Sequence, residues 1–173
     1  EKELNQALNA VLPKDISALK VSRTRQDFHP RHDALSREYH YQIFIGQHRD
    51  PLQERYSWRV WPEVDLRLMN RAARHLLGKH DFNALGISHQ PGGSTIREIF
   101  QAAWKKKQKE LVFRIIGNAF LYHMVRRIVL VLVRIGQGWE PADSITNYLK
   151  NPSGPPAQGL APAQGLHLVR VRY

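Results

Sequence analysis

The stretch IREIFQAAWKKKQKELVFRII, Ile96 to Ile116, decides how this sequence folds. Ile96–Lys106 and Leu111–Ile116 read as strands, and Lys107-Gln108-Lys109-Glu110 between them reads as a hairpin turn. A short turn joins antiparallel strands, because a parallel pair needs a long crossover. Working backwards, Glu38–Gly46 (EYHYQIFIG) alternates with period two and is rich in β-branched and aromatic residues. Tyr56–Trp61 is a shorter candidate strand, and the alternation of Ile16–Thr24 predicts another. Leu4, Leu8, Val11 and Leu12 recur at helical spacing until Pro13. Asp65 reads as the N-cap of a helix with Leu66, Met69, Ala73, Leu76 and Leu77 on one face, stopped by Gly78.

Working forwards, Ala119–Ile135 predicts the longest helix, ended by Gly136, and Ala142–Leu149 a shorter one. Ser88–Thr95 is a loop by its Pro and Gly content. Pro152–Gly165 reads as an irregular loop and holds PAQGL twice, at Pro156–Leu160 and Pro162–Leu166. His167–Tyr173 closes the chain as a strand. Strands, a hairpin and segregated helices predict an α+β fold whose sheet is mostly antiparallel and flanked by helices.

The length of 173 residues suits one sizeable domain or two small ones. With no cysteine, disulfides, cysteine-ligated metals and thiol nucleophiles are excluded, and a reducing, cytoplasmic setting is the expectation. Glu1-Lys2-Glu3-Leu4-Asn5-Gln6 has no signal-peptide character, and the apolar run Ile128–Val133 is far too short to span a bilayer, so no membrane association is expected. Lys and Arg total 26 against 15 acids, a net charge of +11. Such a balance favours phosphate-bearing partners, above all nucleic acid.

Three constellations could carry chemistry. On a helix running through FLYHMVRRIVLVLVRIG, Tyr122, His123, Arg126, Arg127 and Arg134 share an arc of roughly 140°, opposite Met124, Ile128, Val131, Leu132 and Ile135. That face is suited to hold a phosphate or carboxylate by bidentate hydrogen bonds; a solvated polar face is the plain alternative. Tyr39 and Tyr41 fall on one face of a strand, either as core residues or as a stacking platform for an unstacked base. His29 and His32 lie beside Asp27 and Asp33 without the rigid spacing of metal ligands, so no metal is expected. No GxSxG turn or P-loop is present.

Four ordered stretches are similar to the TruA family of tRNA pseudouridine synthases. They are DFHPRHDALSREYHYQI (Asp27–Ile43), TIREIF (Thr95–Phe100), IGNAFLYHMVRRIV (Ile116–Val129) and APAQGLHLVRVRY (Ala161–Tyr173). LNAVLPKDI (Leu8–Ile16) also fits the family's linker-side helix. The resemblance implies a pseudouridine synthase-like fold, with residues 1–26 part of the N-terminal half or linker and residues 27–173 the C-terminal half of the catalytic domain. It implies isomerisation of uridine in tRNA, typically in the anticodon stem-loop, without cofactor or metal, by a homodimer. An aspartate attacks a flipped-out uridine, and the base detaches, rotates and rejoins through carbon.

By the same resemblance, Tyr39 corresponds to the tyrosine that packs on the target base, and Arg126 to the arginine paired with the catalytic aspartate. Tyr41 is the neighbour that a shifted register would put in that place, and Asn118, His123 and Arg97 match as pocket or RNA-side residues. The family's Gly-Arg-Thr-Asp-x-Gly-Val motif, which carries the nucleophile, is not among these residues; Arg23-Thr24-Arg25-Gln26-Asp27 is only a superficial echo. Two functional expectations follow: the C-terminal portion of an active synthase, inactive by itself, or a non-enzymatic basic RNA-binding module derived from this family. A basic α+β protein with a purely structural likeness is the third and plainest.

Overall fold

The computed structural model describes residues 1–107 and 110–173. It contains two compact units, Glu1–Asp33 and Ala34–Tyr173. In the first, helix α1 (Lys2–Val11) ends one residue before Leu12, just ahead of Pro13. Asn9 ties this helix to the following chain, its side chain accepting from the Ala18 amide at 2.8 Å and donating to the Ala18 carbonyl at 2.9 Å. Residues 16–24 form no strand, contrary to the alternation in the sequence. Arg25 pairs with Asp33 at 2.6 Å, and Asp33 accepts from the His29 amide.

The second unit is built on a six-stranded sheet: β1 (Ser36–Ile45), β2 (Trp58–Val60), β3 (Gly78–Asp81), β4 (Ile96–Lys107), β5 (Glu110–Gly117) and β6 (Leu166–Arg172). The order is β2-β1-β5-β4-β3, with β6 also on β1. Among the described residues, only β1 and β2 run parallel, and the other pairs are antiparallel. The β4–β5 hairpin expected from the sequence is therefore present, while the tip of its turn, Gln108 and Lys109, lies outside the described residues. β5 occupies one edge of β1, so β2 and β6 share the other.

Period-two alternation sorts the strands into two faces. Tyr41, Ile43, Ile99, Ala102, Trp104, Leu111, Phe113 and Ile115 are buried in the core cluster, together with the helices α2 (Leu66–Arg74) and α3 (Met124–Gly136). Asp65 caps α2, its carboxylate accepting from the Arg67 and Leu68 amides at 2.7 and 3.1 Å. A third helix, α4 (Ser144–Lys150), contributes Ile145. The opposite face of the sheet is polar. There Glu38, only 7% exposed, accepts from Arg114 Nε at 2.6 Å and Nη2 at 3.1 Å and bonds to His40 at 2.9 Å. Arg114 Nη1 reaches Gln101 at 2.7 Å. This is the α+β architecture expected, with a mostly antiparallel sheet and flanking helices.

Candidate active site

The two tyrosines of β1 share a face but not a role. Tyr41 is wholly buried; its hydroxyl donates to the Pro162 carbonyl at 2.6 Å and its ring meets Trp58 edge-on. Burial pushes its phenol far above the usual range, against the opposing charge of Arg126. The second PAQGL segment closes over this ring. At Gly165 an added Cβ would stand 2.7 Å from Tyr41 Cζ, so only glycine allows the approach. Tyr41 thus presents no surface to a ligand in this arrangement. Tyr39 is only half-buried, with Phe120 edge-on at 5.2 Å. Burial raises its pKa, and the Arg37 charge works the other way. No group among the described residues hydrogen-bonds its hydroxyl.

The long helix begins later than its apolar spacing suggests. Residues 119–123 are not helical; α3 starts at Met124, and His123 precedes it with φ at +63°. Tyr122 and His123 therefore do not lie on the helix, and the polar arc reduces to Arg126, Arg127 and Arg134 on an otherwise largely buried helix. Nor is that stripe a solvated face. Arg126 Nε donates to the Ala161 carbonyl at 2.6 Å, and the Ala161 amide donates back to the Arg126 carbonyl at 3.2 Å. Arg134 reaches the Gln158 carbonyl and the Glu140 carboxylate, both at 3.2 Å. The irregular Pro152–Gly165 segment is thereby stitched along α3.

Arg126 differs from Arg25, Arg49, Arg114 and Arg134, each of which pairs with a carboxylate. No carboxylate among the described residues pairs with it, and Nε makes its hydrogen bond to the Ala161 carbonyl. The two Nη groups of a planar fork are what bidentate carboxylate recognition requires. Its charge acts on both the Tyr41 phenol and the His123 imidazole, lowering the pKa of the first against the effect of burial and of the second along with it.

The remaining expected residues brace the rim. Asn118 Oδ1 accepts from the Glu98 and Ala119 amides at 3.0 and 2.7 Å, holding the turn out of β5. Arg37 Nη1 donates to the Asn118 carbonyl at 2.5 Å. Arg97 donates to the Ser94 and Ile96 carbonyls at 2.9 and 2.6 Å, and its buried Nε has no hydrogen-bond partner among the described residues. It braces the Ser88–Thr95 loop. Phe120 and Pro162 are contacts of the tyrosines that the sequence reading assigned no role. Both stand inside quoted stretches, IGNAFLYHMVRRIV and APAQGLHLVRVRY, so motif membership was the available signal. Among the described residues, no group of three or more His, Cys, Asp or Glu is arranged to hold a metal ion. No described helix is long and apolar enough to cross a membrane.

A depression of about 500 Å³ lies on the polar side of the sheet, bordered by Glu38, Phe100, Arg170 and Arg172. It is on the opposite face of β1 from Tyr39, and its one carboxylate is already held by Arg114. Arg126, by contrast, lies on α3 and has no carboxylate partner among the described residues.

Residues 72–173 match a protein family described as tRNA pseudouridine synthase. A tRNA pseudouridine synthase A of Limosilactobacillus fermentum is 35% identical over 98% of this chain, which spans 67% of that protein. A tRNA pseudouridine synthase A 2 of Bacillus cereus is 33% identical over the whole chain, which spans 71% of it. A tRNA pseudouridine synthase A of Anoxybacillus flavithermus is 34% identical over 96% of the chain and 68% of its own length. Four motifs in order, the α+β sheet that carries them and this similarity across the chain agree: the protein belongs to the tRNA pseudouridine synthase family.

Proposed function

We propose that residues 27–173 form the half of a uridine-isomerising site that receives the base and steadies the nucleophile, with the nucleophilic carboxylate supplied from outside these 173 residues. The observation that carries this is Arg126, tethered through Nε to Ala161 and paired with no carboxylate of its own among the described residues. An adjacent guanidinium favours the ionised form of a carboxylate in a water-poor pocket. The attacking aspartate must be in that form.

The substrate is a uridine of tRNA, and the anticodon stem-loop is the region proposed. A base leaving its stack needs a receiving surface. The half-buried Tyr39 ring, set by Phe120, supplies it. The reaction breaks the C1′–N1 bond, turns the uracil and forms C1′–C5; C5 loses a proton and N1 gains one, so no redox partner is required. In this reading the neutral hydroxyl of Tyr39, without a hydrogen-bond partner among the described residues, assists the departure of that C5 proton by relaying it to a base from outside these residues. His123 lies at the rim near Arg126, and Asn118 and Arg97 hold the backbone around it. Tyr41 acts from below by fixing the Pro162 carbonyl. Homodimerisation and a cytoplasmic setting belong to the same proposal.

Tyr39→Phe and Tyr41→Phe in the intact protein separate the roles. Tyr39→Phe should slow pseudouridine formation by about a hundredfold, the usual scale of a positioned proton-transfer group. Tyr41→Phe should lower the melting temperature and change the rate by severalfold at most. The reverse pattern would remove Tyr39 from the site. The second reading, an RNA-binding module without catalysis, rests on the net charge of +11. It predicts salt-sensitive tRNA binding by the intact protein with no pseudouridine formed.

A further inference from the structure

The segment that the sequence places on a helix is instead an exposed aromatic shelf. Tyr122 is 52% exposed, yet its backbone is fixed on both sides: its amide donates to the Ile87 carbonyl at 2.9 Å and its carbonyl accepts from the Ile87 amide at 3.1 Å. The strand-like bridge brings residue 86 hard against Leu121, where an added Cβ would lie 2.5 Å from the leucine Cβ, so glycine is needed at that position. His123 stacks beneath Tyr122 with ring centroids 3.6 Å apart, and His89 meets the tyrosine from the side at 6.3 Å.

Holding His123 in this position requires the left-handed backbone, at φ +63°, which a residue with a Cβ adopts only at a cost. Burial first, then the charges of Arg126 and Arg127, lower the pKa of this imidazole and favour its neutral form. Arg127 Nε is buried with no hydrogen-bond partner among the described residues. An exposed ring that is stacked and backbone-locked, beside an imidazole that feels the Arg126 and Arg127 charges, is unlike a packing residue. The same combination of π-face and guanidinium is what a single-stranded nucleotide is bound by.

We propose that Tyr122, stacked on His123, is a platform for a second unpaired base of the RNA, a nucleotide flanking the target uridine, whose phosphate faces Arg127. The proposal rests on the synthase reading above and adds a specificity determinant to it. The platform recognises an exposed base by stacking and so selects a loop conformation rather than one base identity.

The test uses the intact protein with Tyr122→Ala, Tyr122→Leu and Tyr122→Phe, assayed against a fluorescent tRNA stem-loop by anisotropy and by steady-state turnover. Stacking on one aromatic side chain predicts binding weakened about ten- to a hundredfold in the Ala and Leu variants and restored by Phe. The loss should fall on KM, with kcat at saturating RNA within about twofold. Stem-loops with a single abasic site beside the target uridine should bind the parent protein more weakly by a similar factor, and Tyr122→Ala should not weaken them further. Equal affinity of all four proteins for the intact stem-loop, or Leu restoring binding as well as Phe, would overturn the platform and leave the synthase reading intact. A parent protein that neither binds nor modifies the stem-loop would overturn both.

Discussion

Arg114 and Arg126 are two guanidiniums on opposite sides of one sheet, and their surroundings could hardly differ more. Arg114 grips Glu38 through two nitrogens and Gln101 through the third, so each of its three nitrogens finds an acceptor within the chain. Arg126 is anchored by Nε to one carbonyl and has no carboxylate among the described residues. Both are partly buried. An arginine saturated by its own fold is architecture. One held at a single point, with no carboxylate of its own among the described residues, fits the proposal of a group that arrives from elsewhere.

The comparison breaks most sharply under substitution. Arg126→Ala in the intact protein should cost at least about a hundred- to a thousandfold in pseudouridine formation, the scale for loss of one preorganised electrostatic group, with the melting temperature shifted by only a few degrees. Arg114→Ala should do the opposite. It strands Glu38 and should cost about 1–3 kcal/mol of stability in denaturant melts, with turnover per folded molecule changed by a few-fold at most. If the two substitutions produced the same phenotype, the distinction between the two faces would fall.

A smaller effect follows from Glu38. Hydrogen bonds from Arg114 first, then from His40, outweigh burial and hold its pKa at about 2, below the ordinary 4.5. A depressed carboxylate stabilises the fold above its unfolded pKa and loses that contribution as pH falls through the folded value. Melting temperature should therefore decline between about pH 4.5 and pH 2, and Glu38→Gln should flatten that part of the profile. An unchanged slope in the variant would show that other carboxylates govern acid unfolding.

What was legible in the sequence was local. The strands around Tyr39 and through Ile96–Ile116 follow from period-two patterning, because each strand buries one face against helices. Asp65 was recognisable as a cap because a helix start is made by its nearest amides. The misses share a physical cause. Ile16–Thr24 alternates but pairs with no strand, and alternation gives no information about a partner. The four residues Gly78–Asp81 are a strand only because β4 pairs with them. Ala119–His123 has helical spacing, yet Ile87 captures the Tyr122 backbone and delays the helix. At the site, the residue types could be chosen from motifs. The difference between Tyr39 and Tyr41 could not, since it depends on the Pro162 carbonyl, 121 residues away in the chain.

The most direct test of Arg126 as the partner of an incoming carboxylate is the acid limb of the pH–rate profile. Pseudouridine formation on a tRNA stem-loop would be measured as kcat/KM from pH 4 to 8 for the parent protein and for Arg126→Gln. Removing an adjacent cation raises a carboxylate's pKa, so the acid limb of the variant should move to higher pH by about one unit or more, on top of its lower plateau. An acid limb at the same pH in both proteins would mean that Arg126 does not stand beside the ionising carboxylate.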